Sequence, residues 1–107
     1  MTVEYTSLAA GGMLTLAGEL DHHAAAAAIR RSERLLDEHQ PGALVLDLAG
    51  LSFMDSSGIA LLLKLKKRMQ MIGGTLEVQN TPPQAYRVLV GAGIDRLIPI
   101  SKRRKEA

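Results

Sequence analysis

Cysteine and tryptophan are absent from this 107-residue chain, and its only aromatic side chains are Tyr5, Phe53 and Tyr86. Without cysteine there are no disulfides, no thiolate metal sites and no cysteine nucleophile, which fits a reducing compartment. No aromatic platform or zinc-finger spacing supports readout of nucleic-acid bases. Apolar runs such as GIALLL fall far short of the roughly 20 residues that span a bilayer. The first residues, MTVEYTSL, have neither the basic start nor the apolar centre of a secretory leader. The expectation is a cytoplasmic chain with no membrane span and no direct nucleic-acid contact.

Charge of one sign is also scarce. The net charge is +2, and much of it comes from the tail SKRRKEA, from about residue 101, where Lys102, Arg103, Arg104 and Lys105 are contiguous. A short basic end of this kind is expected to be solvated. Apolar residues make up 47% of the chain. At this length they can build one core but not two, so residues 1–107 are expected to form one domain packed from Leu, Ile, Val, Ala and Met.

Two short runs with β character, VEYTSL and MLTLAG, flank Gly11 and Gly12, which predicts a hairpin turning at the glycines. Asp21 then precedes the Ala-rich HHAAAAAIRRSERLLDEHQ, a helix running to Pro41-Gly42. Ala25, Ala28, Ile29, Ser32, Leu35 and Leu36 recur at helical spacing and define its packed face. ALVLDL, residues 43–48, is nearly all apolar, as a central strand covered on both faces would be.

A second helix is predicted over Ile59 to Ile72, with a stripe of Leu61, Leu62, Leu65, Met69 and Ile72 and a stop at Gly73-Gly74. Leu63 and Met71 fall off that stripe, either as edge packing or as part of a contact surface. TLEV (75–78) reads as a strand, Pro83 to Ala92 as a third helix, and RLIPI as a final strand limited by Pro99. The alternation predicts an α/β fold, a mixed β-sheet with α-helices packed against it.

MDSSG, residues 54–58, joins a strand to a helix and places two hydroxyls beside a carboxylate. Ser and Asp favour the N-cap, where a side-chain oxygen accepts from a first-turn N–H. The same reasoning makes Asp21 the cap of the first helix. Capping does not account for the apolar approach LSFM, whose Phe53 and Met54 are expected in a loop and exposed, as a contact surface.

A nucleophilic serine is disfavoured because the glycines of G-x-S-x-G are missing, although His22, His23 and His39 are available as bases. Adjacent histidines on a helix point about 100° apart and do not chelate one ion together, so no metal site is expected. A regulatory phosphate is the remaining chemistry. Helix N-termini favour anions, and the added charge of about −1.5 to −2 would change a binding surface while sparing the fold. Chemistry alone does not separate Ser56 from Ser57.

GELDHH (18–23), LSFMDSSG (51–58) and IGG (72–74), in that order, resemble the STAS-domain anti-sigma factor antagonists, most of all the sporulation anti-sigma-F antagonists. The similarity runs from about Leu14 to RLIPI. It implies the STAS fold and a non-enzymatic role in partner switching. In that family the unmodified antagonist binds an anti-sigma factor that is also an ATP-dependent serine kinase, and so frees the sigma factor. The kinase then phosphorylates the serine after the motif Asp, here Ser56, which ends binding. A PP2C-type phosphatase reverses the step.

The kinase would bring nucleotide, magnesium and base, so this chain would hold no cofactor and no catalytic residue. Asp21 matches a family acid at the kinase-contacting surface. With it, Phe53, Met54, Asp55, Ser57, Gly58 and Leu63 form the expected partner-binding set. Ala60 departs from the family, which often has a second glycine there. An alternative within the fold is a STAS accessory subunit of a membrane transporter complex.

Overall fold

Along the second strand Leu14, Leu16 and Leu20 are fully buried, while Thr15, Ala17 and Glu19 stay in partial or full contact with water. That one-sided pattern places the helices on a single face of the sheet. The structure, a computed structural model, describes residues 1–103. The order is β1 (Thr2–Leu8), β2 (Gly11–Leu20), α1 (His22–His39), β3 (Ala43–Met54), α2 (Ser57–Ile72), β4 (Thr75–Gln79), α3 (Pro83–Gly91) and a 3-10 turn at Ile94–Arg96. The sheet runs β1-β2-β3-β4, with β1 antiparallel to β2 and the other neighbours parallel. This is the expected mixed sheet with helices packed against it. Arg104 and Lys105 of the basic tail lie outside the described residues.

The hairpin forms, but its turn falls on Ala9-Ala10, and Gly11-Gly12 opens the return strand. The glycines are needed for close approach rather than for turning. A Cβ on Gly12 would collide with the Tyr5 hydroxyl, and Tyr5 in turn stacks on His39 at 3.9 Å between ring centroids.

Most of the core lies between the sheet and α1 and α2. Leu14, Leu16, Leu44, Leu46 and Val78 from the strands pack with Ala28 and Leu36 of α1 and Leu61, Leu62, Leu65 and Met69 of α2. The predicted helix faces hold except at their margins, where Ile29 and Ile72 are only partly buried. Arg68 bridges the two helices, donating through Nη1 to Asp37 at 2.9 and 3.0 Å and through Nη2 to Glu33 at 3.0 Å. Those carboxylates, Glu33 first, hold its guanidinium pKa above its ordinary value.

Two sequence expectations are corrected. β3 does not stop at Leu48 but runs to Met54, because β2 pairs with it from Gly12↔Leu44 to Leu20↔Met54. Two register shifts along that pairing break the alternation of AGLSFM, which is why it looked like a loop. RLIPI is not a strand. It makes one parallel bridge, Val78↔Ile100, in which the Val78 N–H donates to the Pro99 carbonyl at 2.8 Å and the Ser101 N–H to the Val78 carbonyl at 2.9 Å. Pro99 has no N–H with which to extend the ladder.

Candidate functional site

The ends of β2 and β3 deliver the chain to the N-termini of α1 and α2 side by side. Asp21 caps α1, accepting from the Ala24 N–H at 2.9 Å through Oδ1. The Asp55 N–H donates to the Leu20 carbonyl at 3.2 Å, which continues the β2–β3 pairing past the last strand residue. The Asp55 carboxylate then accepts twice, from the Ser57 N–H at 2.8 Å and from the His22 N–H at 3.0 Å. One side chain therefore ties the starts of both helices together. The Ser57 N–H is the main cause that holds its pKa below the ordinary 3.8, opposed by desolvation and helped by the Ser57 side chain and by His22.

This arrangement separates the two serines. Ser57 opens α2, is half-buried and is engaged with Asp55. Ser56 occupies the cap position in αR geometry, is exposed, and makes no capping hydrogen bond through its side chain. First-turn capping of α2 comes from Asp55 and not from a serine. The Ser56 hydroxyl stands free beside two positive helix ends, where an added anion is favoured electrostatically.

The surroundings divide into surface and support. Phe53 and Leu63 are exposed, at 41% and 40%, and with Ser56 they form the accessible part of the predicted set. Met54 was expected at the surface and is instead fully buried. Gly58 is buried against it, so closely that a Cβ would lie 2.5 Å from Met54 Cγ. The two form a packed floor beneath the serines. Ala60, which departs from the family pattern, is exposed on α2.

Sequence reasoning missed two contributors. The His22 backbone N–H acts on Asp55 from 33 residues away, and the Gln84 side chain of α3 bonds both backbone groups of Met54. No local pattern signals contacts of that range. His22 and His23 open α1 beside the site, but among the described residues no histidine side chain is hydrogen-bonded to either serine. His39 lies at the far end of α1, about 25 Å along the helix axis. Among the described residues no group of three His, Cys, Asp or Glu side chains is placed to hold a metal ion, and no helix is long and apolar enough to cross a membrane.

A one-faced α/β sheet whose parallel strands end in an Asp-Ser-Ser-Gly helix start defines the class. The chain belongs to the STAS-domain family, whose pattern matches residues 2–107. Within that family it is similar to the anti-sigma F factor antagonist of Paenibacillus polymyxa, at 33% identity over 88 residues, covering 82% of this chain and 75% of that protein. The anti-sigma F factor antagonist of Lysinibacillus sphaericus is 30% identical over 82 residues, covering 77% of this chain and 70% of that one. The solved structure of the anti-sigma factor antagonist SpoIIAA in its unphosphorylated form has a TM-score of 0.76 at 23% identity, over 94% of this chain and 88% of that one, and so shares the fold.

Proposed function

We propose that this chain is an anti-sigma factor antagonist controlled by phosphorylation at Ser56. In its unmodified form it binds an anti-sigma factor that is also an ATP-dependent serine kinase, and sigma factor is released. The kinase transfers the γ-phosphoryl group of ATP to the Ser56 oxygen, ADP departs, and the hydroxyl proton leaves with a base on the kinase. The chain is then the substrate and does no chemistry itself. A PP2C-type phosphatase hydrolyses the phosphoserine and restores the binding form. The setting is the cytoplasm, and the similarity to anti-sigma F factor antagonists supports a role in sporulation.

The observation that carries this reading is the exposed Ser56 hydroxyl, which makes no capping bond, beside the buried Met54 and Gly58 and in a stretch of chain that also exposes Phe53 and Leu63. A phosphate there adds about −1.5 to −2 of charge beside the ionised Asp55. A partner that covers Phe53 and Leu63 would have to desolvate that charge. A penalty of about 2.7 kcal/mol already weakens binding a hundredfold. Asp21, Asp55, Ser57 and Gly58 shape the surface, with Met54 supporting it from beneath.

The test is binding of Ser56→Asp and Ser56→Ala to the anti-sigma factor in the presence of ADP. The reading expects Ser56→Ala to bind close to wild type and Ser56→Asp at least about tenfold more weakly. Equal affinity of a folded Ser56→Asp would defeat it.

A further inference from the structure

β4 covers only the first part of β3. Its pairing ends at Asp47↔Gln79, whereas β3 continues to Met54. On its β2 side the end of β3 is held by the Asp55 N–H bond to the Leu20 carbonyl. On the other side, where no strand remains, the Met54 N–H and C=O face an open edge. A single side chain fills it. The Met54 N–H donates to Gln84 Oε1 at 2.8 Å, and Gln84 Nε2 donates to the Met54 carbonyl at 2.7 Å. A primary amide carries the same donor and acceptor pair as a peptide unit, so Gln84 stands in for one residue of a missing strand. Only one amide orientation satisfies both bonds, since the flipped one would set oxygen against oxygen.

Gln84 is itself well placed to do this. It is the second residue of α3, between Pro83 at the helix start and the buried Ala85, and Leu89 anchors the same helix in the core. We propose that Gln84 is a positioning residue for the switch, bracing Met54 so that Ser56, two residues on, is presented in one geometry to the enzyme that modifies it. This inference rests on the reading of Ser56 as the phosphoacceptor. Without the brace, the Met54 N–H and C=O lose their partners on the open edge, and only the Asp55 bonds to Leu20 and His22 and the packing of Met54 still hold the segment, so its position is less tightly fixed. Phosphoryl transfer tolerates such motion poorly, because misplacement by about 1 Å can cost up to about a hundredfold in rate.

The test compares wild type, Gln84→Met and Leu89→Val. Gln84→Met keeps the side-chain length but removes both bonds, leaving the Met54 N–H and C=O unpaired at a cost in stability, so its folding is checked by circular dichroism before the kinetics. Leu89→Val loosens α3 while leaving Gln84 intact. Each protein is phosphorylated with the host's anti-sigma factor kinase and Mg-ATP, and kcat and KM for Ser56 are measured beside amide hydrogen exchange at Met54. The expected result for Gln84→Met is a kcat about tenfold lower or more, KM within about twofold, and Met54 exchange at least about tenfold faster. Leu89→Val should keep kcat and Met54 protection near wild type.

A Gln84→Met protein with wild-type kcat, or with unchanged Met54 exchange, overturns the positioning role alone. So does an equal loss of kcat in Leu89→Val. Wild type that takes no phosphate on Ser56 overturns the phosphoacceptor reading and this inference with it.

Discussion

Replacing Gly58 with Ala tests whether the floor under the switch is as tightly packed as its geometry indicates. A Cβ at Gly58 would stand 2.5 Å from Met54 Cγ, 2.6 Å from Sδ and 2.9 Å from Cε. Real Cβ atoms do not approach that closely, and Met54 is fully buried, so it cannot swing into water. Overpacking of this kind costs about 1–3 kcal/mol. Alanine in place of a helical glycine returns about 0.5–1 kcal/mol. The net expectation is a loss centred near about 1 kcal/mol and at most about 2.5 kcal/mol, seen as a fall of roughly 5 °C in the midpoint of thermal unfolding followed by circular dichroism.

A double-mutant cycle attributes the loss. Met54→Ala alone should cost about 2–5 kcal/mol, and in the Gly58→Ala background at least about 1 kcal/mol less, because the colliding atoms are gone. A Gly58→Ala protein as stable as wild type, or strict additivity with Met54→Ala, would refute the packing argument.

Two further changes probe the frame around the site. The Ser32 hydroxyl of α1 is buried with no hydrogen-bond partner. Ser32→Ala removes an unsatisfied group and improves helix propensity, so it should raise stability by about 1 kcal/mol, read as a higher urea midpoint at unchanged slope. Asp55 has a pKa below its ordinary 3.8, so the native state favours the carboxylate and the unfolded chain binds the proton first. Its stabilisation is therefore present above 3.8 and is lost as pH falls through the lower native value. The stability gap between wild type and Asp55→Asn should be constant near neutrality and shrink below 3.8; a gap that widened on acidification would contradict that sign.

Much of the architecture was readable locally. Asp21 followed by an alanine run specifies a capped helix, and the stripe from Leu61 to Met69 specifies which face of α2 is dry. The apolar ALVLDL announces the central strand. These signals are legible because capping, helical periodicity and strand propensity act over a few residues. The end of β3 was not, since AGLSFM pairs with β2 through register shifts that no alternation reveals. RLIPI failed for the opposite reason. Its composition suits a strand, but Pro99 and the preceding 3-10 turn leave room for a single bridge.

The sequence by itself therefore determined the element order as far as α3, the Asp-Ser-Ser-Gly helix start and, through the motifs around it, the family. Only the tertiary structure decided which of two adjacent serines has a free hydroxyl. Asp55 takes the N–H groups of Ser57 and of His22, leaving Ser56 exposed. It also moved Met54 from the surface to the core and gave Gln84 its place against the switch. The physical reason is range. Propensity and capping are written in neighbouring residues, whereas these contacts join segments about 30 residues apart, and form only when the sheet has brought three helices to its edge.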